Sequence, residues 1–199
     1  MPAFTHSWLE ACSECQACGL AQQRQHVVIS RGNPEARVML IGEAPGANED
    51  VAGEPFVGRS GQLLDRLLIE VGFDPLVDVF VTNAVKCRPP DNRKPTTAEL
   101  LACRPWLDQQ INVVNPRWVV LVGATAVRAM LGRKQSMGSL RGQWIALHDR
   151  QWMPIFHPSY LLRNPSCEPG KPVSLTRDDL RQVRAQLCQG ESASGEPIP

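Results

Sequence analysis

Short apolar runs alternate along this chain with segments of helical periodicity, and this alternation constrains the fold more strongly than any other feature. Four apolar runs predict buried strands, and the segments between them carry their apolar residues on one helical face. Strands that alternate with helices predict a mostly parallel sheet with helices on both faces, which is an α/β fold. The predicted strands lie at residues 37–44, 78–85, 117–123 and 152–158.

Helices are predicted between the strands and near the C-terminal end. The first follows the glycine-rich segment and has Ser60 as its candidate N-cap. The second is capped by Thr96 or Thr97 and carries Glu99 in its first turn, as a capping box requires. The predicted helical segments are residues 60–73, 96–114, 124–131 and 175–187.

The 199 residues fit one domain with a sizeable core, which we place at residues 1–190. The polar C-terminal stretch predicts a disordered tail at residues 191–199. No stretch approaches the roughly 20 apolar residues that a membrane span needs. The N-terminus also lacks the basic start and apolar run of a secretory signal. We therefore expect a cytoplasmic, monomeric protein without a membrane partner.

Polar side chains stand at the carboxyl ends of three predicted strands. Glu43 follows the first strand, Asn83 lies at the end of the second, and His157 lies at the end of the fourth. Ligands of open parallel sheets bind beyond the carboxyl ends of the strands, so these three side chains should converge on one crevice. Taken alone, Glu43 would more often be a helix cap, Asn83 a turn former and His157 a structural histidine. Together they predict a functional site.

The segment at residues 42–61 contains five glycines and so resembles a phosphate-binding loop. It lacks the Gly-Lys-Ser/Thr signature of such loops, and it carries Glu43, Glu49 and Phe56 instead. A nucleotide-binding enzyme is therefore a weak alternative. The glycines can also serve turn geometry alone.

Seven cysteines need an explanation in a cytoplasmic chain, where disulfides are rare and clustered cysteines favour a metal site. Cys12, Cys15 and Cys18 offer two overlapping C-x-x-C pairs, and Cys87 and Cys103 are separated by 15 residues. Four thiolates suit either Zn²⁺ or an iron–sulfur cluster. Buried free thiols are a sufficient explanation for the two remaining cysteines, Cys167 and Cys188.

The formal net charge of +1 excludes a global basic field, so any nucleic-acid binding needs a local patch. Residues 86–95 form the candidate patch, in which four cations face one acidic residue and three prolines stiffen the chain. Such a loop suits a phosphate backbone, although it could be a solvated loop. A Zn-stapled DNA-binding module without enzymatic activity is therefore a second alternative. The four cations are Lys86, Arg88, Arg93 and Lys94.

Three long segments resemble the family 4 uracil-DNA glycosylases, the iron–sulfur branch of the uracil-DNA glycosylase superfamily. They are GEAPGANEDVAGEPFVGRSGQLL, VTNAVKCRPPDNRKP and HPSYLLRNP, and they occur in the family's order. The resemblance extends from about Cys15 to Leu187 and covers nearly the whole chain. It implies a three-layer α/β/α fold with a central four-stranded parallel sheet.

The resemblance also implies an enzyme of DNA repair that carries a [4Fe–4S] cluster. Its substrate would be uracil-containing DNA, single- or double-stranded. The enzyme would flip uracil out of the DNA and hydrolyse its N-glycosidic bond, which releases free uracil and leaves an abasic site. The family's pattern makes Cys15, Cys18, Cys87 and Cys103 the cluster ligands and leaves Cys12 as a spare.

Individual roles follow from the same resemblance. His157 would donate a hydrogen bond to uracil O2, and Glu43 is the candidate for positioning water and favouring a cationic sugar, by analogy with glycoside hydrolysis. Phe56 would stack on the base, Asn83 would read its edge, and Glu49 would exclude the thymine methyl group. Gly42 and Ala44 would complete the uracil pocket.

Two segments would contact the DNA backbone and fill the gap that the flipped base leaves. The wedge would come from a loop at residues 158–163, with Tyr160, Leu161 or Leu162 entering the duplex. The predicted DNA contacts are Arg59, Lys86, Arg88, Arg93, Lys94, Ser159, Tyr160, Leu161, Leu162 and Arg163.

Overall fold

The structure is a computed structural model that describes residues 4–192. The predicted tail lies outside the described residues from position 193 onward, and residues 191 and 192 belong to the last helix. Among the helices of residues 4–192, none combines the length and the apolar character that a membrane crossing requires.

Residues 4–192 form six strands and eight α-helices. The strands are β1 (Arg31–Gly32), β2 (Val38–Gly42), β3 (Val79–Asn83), β4 (Trp118–Val122), β5 (Ile145–Leu147) and β6 (Arg150–Ile155). The helices are α1 (His6–Ser13), α2 (Ala47–Ala52), α3 (Arg59–Glu70), α4 (Thr97–Val114), α5 (Ala124–Leu131), α6 (Met137–Leu140), α7 (Pro158–Arg163) and α8 (Pro172–Ser192). Two short 3₁₀ helices lie at Gly19–Gln22 and Pro90–Asn92.

The strands form one sheet in the order β1-β3-β2-β4-β6-β5. The inner four strands are parallel, which confirms the predicted four-stranded parallel sheet. The two edge strands are antiparallel to their neighbours and were not predicted. With two and three residues, they are too short to show a period. The hairpin between β5 and β6 turns at His148 and Asp149, both with positive φ, as a tight hairpin turn requires.

Helices cover both faces of the sheet, because alternate strand residues point to opposite sides. Leu40 of β2 packs in a core with residues of α3, α7 and α8, whereas its neighbours Met39 and Ile41 pack with residues of α4, α5 and α6. The inner strands are buried along their whole length apart from the first two residues of β6. This three-layer α/β/α arrangement leaves the carboxyl ends of the parallel strands as the open edge.

The predicted helix starts are right for α4 and wrong for α3. Thr96 accepts a hydrogen bond from the Glu99 backbone and Glu99 bonds back to the Thr96 N–H, which completes the capping box. Helix α3 begins at Arg59 with Gly58 as its N-cap, so Ser60 lies inside the helix. The Gly58 N–H donates to the Glu49 carboxylate, which fixes the N-cap two residues earlier than the pattern indicates.

Candidate active site

The carboxyl ends of the parallel strands open into a cleft of about 380 Å³. Glu43, Asn83 and His157 all line it, so the structure brings together the three strand-end residues that the sequence predicted to converge. Ala44, Glu49 and further residues of the loop after β2 complete one wall, and α7 contributes the opposite one.

Asn83 ends β3 beside Gly42, its register partner at the end of β2. The Asn83 side chain is buried, and its Oδ1 atom has no hydrogen-bond partner among the described residues. A Cβ on Gly42 would lie 2.4 Å from Asn83 Oδ1 and 2.5 Å from the Phe56 ring, so a glycine is required there. An unpaired buried carbonyl costs free energy unless a ligand satisfies it. The Asn83 side-chain carbonyl is therefore available to a ligand that enters this cleft.

Phe56 forms the aromatic wall of the cleft. Its backbone has a φ of 58°, which an aromatic residue rarely adopts and which marks a functional constraint. Gly61 allows this placement, because a Cβ there would lie 1.7 Å from the Phe56 carbonyl oxygen. The Phe56 ring faces His157 with 6.2 Å between ring centroids.

Glu49 ties the glycine-rich loop to itself. One carboxylate oxygen accepts from the Gly46 N–H at 3.0 Å, and the other accepts from the Gly58 N–H at 2.7 Å. The carboxylate thus occupies backbone donors that a phosphate would need, which argues against the nucleotide-binding alternative. Glu49 lines the cleft as predicted, and the bonds it makes rigidify the wall.

Glu43 extends from the end of β2 towards the first turn of α5. Its Oε2 atom accepts a hydrogen bond from the Thr125 hydroxyl, and its other oxygen makes no hydrogen bond within the described part of the chain. Thr125 holds the carboxylate in one orientation and leaves the second oxygen for the cleft. Thr125 was not predicted from the sequence. It follows the end of β4 by three residues, so the rule that ligands bind at the carboxyl ends of parallel strands could have identified it.

His157 caps α7 and has a defined tautomer. Its Nδ1 atom accepts from the Ser159 N–H at 3.1 Å and lies 2.8 Å from the Ser159 hydroxyl. A neutral ring with Nδ1 as acceptor carries its proton on Nε2. Burial, helped by the nearby Arg163 cation and opposed by Glu49, lowers the pKa of His157 to about 4. His157 is therefore a neutral Nε2–H donor at physiological pH.

Residues 158–163 form helix α7, where a wedge-forming loop was predicted. Leu161 is fully buried in the core with α3 and α8, so the prediction that Leu161 enters a duplex is corrected. Tyr160 is exposed and packs against Phe156, and Leu162 is partly exposed. The helix places every third or fourth side chain on one face, which turns Leu161 inward and its neighbours outward.

One of the four cations in the predicted basic loop is buried in the structure, and another forms an ion pair. Lys86 is 1% exposed. Its ammonium donates to the Thr82 hydroxyl at 2.6 Å and to the backbone carbonyl of Asn83 at 2.7 Å. It is thus unable to contact DNA, and the prediction for Lys86 is corrected. Arg93 lines the cleft but forms a two-pronged ion pair with Glu99, which lowers the pKa of Glu99 to about 2.

The other predicted DNA contacts lie at the surface around the cleft. Arg88 is half-buried and donates to the Asn92 side chain at 2.8 Å, and Lys94 is exposed. Arg59 begins α3 and is also exposed. Ser159 and Arg163 line the cleft directly. These five residues remain accessible to a DNA strand.

Five cysteines line one pocket on the other side of β3, between the N-terminal segment and α4. Three of the sulfurs lie within reach of N–H donors: Trp106 Nε1 is 3.2 Å from Cys15, Arg24 Nη1 is 3.4 Å from Cys87, and the Lys86 N–H is 3.3 Å from Cys103. Cys167 and Cys188 are exposed and do not line it. The pocket cysteines are Cys12, Cys15, Cys18, Cys87 and Cys103.

The thiols of this pocket are donors that suit both Zn²⁺ and iron–sulfur clusters. Within residues 4–192, no three metal-ligating side chains converge on one ion position. Burial raises the pKa of Cys103 to about 11 and that of Cys87 above its usual value, so metal binding must displace the thiol protons. Arg24 and Lys86 supply positive charge beside the sulfurs. N–H donors to sulfur are a feature of iron–sulfur sites.

The family model for the Uracil DNA glycosylase superfamily matches residues 29–181 of this chain. The chain belongs to this superfamily. The match confirms the family predicted from the three sequence segments, and it spans all of the inner strands and the whole cleft.

Curated relatives agree with this assignment. The type-4 uracil-DNA glycosylase of Thermotoga maritima is 47% identical over 161 residues, which are 80% of this chain and 83% of the relative. That of Saccharolobus solfataricus is 37% identical over 193 residues, or 93% of this chain and 84% of the relative. A type-5 uracil-DNA glycosylase of Thermus thermophilus is 40% identical over 114 residues, 50% of this chain and 52% of the relative. Similarity to the type-4 proteins thus extends further along the chain.

Proposed function

We propose that this chain is a DNA repair glycosylase, which flips uracil out of DNA and hydrolyses its N-glycosidic bond. Free uracil and an abasic site are the products. The observation that carries the proposal is the unpartnered Oδ1 atom of Asn83, buried in a cleft beside the ring of Phe56. Membership of the superfamily and similarity to relatives named type-4 uracil-DNA glycosylase support it.

Asn83 selects the base. Uracil presents a donor at N3 and an acceptor at O4, which match the carbonyl and the NH₂ group of one carboxamide. Cytosine presents an acceptor at N3 and a donor at N4, so both contacts would oppose like groups. A buried polar site rejects the mismatched partner strongly, because its own groups are left unpaired. Phe56 holds the ring by stacking, and Gly42 and Ala44 let the backbone approach it.

His157 stabilises the leaving group. Cleavage of the glycosidic bond places negative charge on the uracil ring, and the Nε2–H group can donate to O2 as that charge develops. In the neutral state, which burial favours, Nε2 carries the ring proton and can make this hydrogen bond. Removing one such donor costs about 2.7–4 kcal/mol of transition-state stabilisation.

Glu43 acts on the sugar side of the bond. The oxygen that Thr125 does not engage is free to orient a water molecule and to favour positive charge on the deoxyribose. Carboxylates serve both purposes in glycoside hydrolysis. Because the Thr125 hydroxyl fixes the other oxygen, the carboxylate has little freedom to turn away from the water.

The base must leave the helical stack before it can enter the cleft, at a cost of a few kcal/mol. Arg59, Ser159 and Arg163 lie where they can hold the backbone around the flipped nucleotide. Tyr160 and Leu162, which flank the buried Leu161 on α7, are the proposed wedge. Glu49 keeps the wall near the base rigid and thereby leaves no room for the thymine methyl group.

We further propose that Cys15, Cys18, Cys87 and Cys103 hold a [4Fe–4S] cluster. When bound, the cluster supplies a cross-link between the N-terminal segment, the residues after β3, and α4. Cys87 lies four residues after Asn83, so the cross-link fixes the segment that carries the base-reading side chain. The role is structural. The proposed location is the cytoplasm, where cysteines such as Cys87 and Cys103 stay reduced.

The test is incubation of the purified protein with a labelled oligonucleotide that contains a single uracil. Alkali followed by a denaturing gel reveals strand cleavage at an abasic site. We expect cleavage at the uracil and none in a matched oligonucleotide with thymine at that position. Intact uracil-containing strand after long incubation with excess protein would reject the proposed function and favour a DNA-binding module.

A further inference from the structure

A second groove, of about 430 Å³, lies beside the cleft on the side of α5. Its walls come from the first turns of α5 and from the segment that follows that helix. Four of its eight lining residues are cations, and none is acidic: Lys94, Arg128, Arg133 and Lys134.

These four cations differ from the several arginines of the molecule that form ion pairs. All four side chains are exposed, and none forms an ion pair with the part of the chain that the structure describes. By contrast, Arg93 is paired with Glu99, and Arg104 with Asp108. Unpaired cations that crowd one groove raise its potential and favour a polyanion.

The groove is continuous with the candidate active site. Lys94, Ala124 and Thr125 line the groove and also line the space of about 620 Å³ that Glu43 and His157 border. A DNA strand that leaves the cleft past Thr125 would therefore pass directly into the groove. The sequence pointed to residues 86–95 as the basic patch, and only Lys94 of that patch lies here.

We propose that this groove holds phosphates of the DNA strand that carries the target base, on one side of the flipped nucleotide. The inference rests on the proposed function, since it adds the path of the strand to the site of excision. The groove has no aromatic side chain on which bases could stack, and its lining beyond the cations is Ala124, Thr125, Val127 and Gln135. Contacts to phosphates alone make the binding independent of sequence.

The first test compares two double variants in binding to uracil-free single-stranded DNA over a series of salt concentrations. Arg133→Gln/Lys134→Gln removes two groove charges. Arg66→Gln/Lys171→Gln removes two exposed charges in the helical layer on the opposite face. Each lost phosphate contact should lower the slope of log K against log salt by about 0.7, uniformly across sequences. The control pair should keep the wild-type slope.

An unchanged slope in the groove variant would overturn the inference and leave the groove to another polyanion, such as an acidic protein segment. An equal loss in both variants would also overturn it, because the effect would then belong to net charge. Folding of each variant is checked by its thermal unfolding midpoint, and Arg128→Gln provides a separate substitution within the groove.

The second test uses two oligonucleotides of equal length, with uracil near the 5′ end in one and near the 3′ end in the other. Because the groove lies on one side of the cleft, Arg133→Gln/Lys134→Gln should weaken the binding of only one of them. Equal weakening of both, or of neither, contradicts the proposed path. Failure of the wild-type protein to make abasic sites would reject the proposed function. The binding results would still decide whether the groove binds DNA phosphates.

Discussion

The cleft and the thiol pocket are connected by the five residues from Asn83 to Cys87. They differ in whether their polar atoms have hydrogen-bond partners. In the cleft, the side-chain carbonyl of Asn83 has no hydrogen-bond partner among the described residues, and the backbone of Phe56 is left-handed. In the thiol pocket, three sulfurs lie near N–H donors. Lys86 lies between the two sites. Its ammonium donates to the backbone carbonyl of Asn83, and its backbone N–H donates to the sulfur of Cys103. The cleft thus leaves a polar atom open to a ligand, whereas the thiol pocket provides three of its sulfurs with N–H donors.

Removing a proposed cluster ligand should have the largest effect, because the cluster would cross-link three segments of the chain. We expect Cys87→Ala and Cys103→Ala to abolish iron binding, measured as iron per chain and as brown colour after anaerobic purification. Cys15→Ala and Cys18→Ala should do the same. Cys167→Ala, at an exposed cysteine far from the pocket, is the matched control and should retain about four irons.

Cys12 sharpens this prediction, since it is buried in the same pocket and burial raises its pKa to about 12. We expect Cys12→Ala to keep its iron. Loss of iron from Cys12→Ala together with retention in Cys18→Ala would show that the first ligand pair is Cys12 and Cys15 instead.

The next largest effect concerns the unpartnered atom in the cleft. Asn83→Asp replaces the NH₂ donor by an acceptor, so uracil excision should fall by about 10²-fold or more. Weak excision of cytosine should appear, because its N4 amine can donate to the new carboxylate. Asn83→Ala should lose uracil excision and gain nothing. The measurement is base release from oligonucleotides that differ only at the target position, and full uracil activity in Asn83→Asp would make Asn83 a turn former.

Much of this comparison could be predicted from the sequence, because it depends on topology. Four apolar runs gave the inner strands, and their parallel order brought Glu43, Asn83 and His157 to one edge. The inward direction of Lys86 and Leu161 could not be predicted, since it depends on which side of the chain faces the core. Thr125 was missed because its role exists only through contact with Glu43, 82 residues away.

A smaller effect is expected at Thr125. Thr125→Val keeps the shape of the side chain but removes the hydroxyl that holds Glu43, so single-turnover excision should slow by about 10-fold. DNA affinity should change little, and Thr125→Ser should restore the rate. Thr97→Val, at an exposed threonine that begins α4, is the control. Slow excision in Thr125→Ser as well would indicate a packing role for the methyl group.

The smallest effect is a dependence of stability on pH. The pKa of His157 is about 4 when folded and about 6.5 when unfolded, so only the unfolded ring binds a proton between these values. His157 therefore lowers the free energy of unfolding as pH falls from about 6.5 to about 4. Chemical denaturation of wild type and His157→Gln should show a weaker decline in the variant. His6→Gln, at a side chain that is 88% exposed, should decline as the wild type does.

The most direct test of the central claim separates binding from chemistry in Glu43→Ala and His157→Ala. Both groups are proposed to act on charge that exists only in the transition state, so uracil excision at saturating protein should slow by about 10²-fold or more. Affinity for uracil-containing DNA, measured before reaction, should fall little. A loss of affinity as large as the loss of rate, or wild-type excision by Glu43→Ala, would contradict the account.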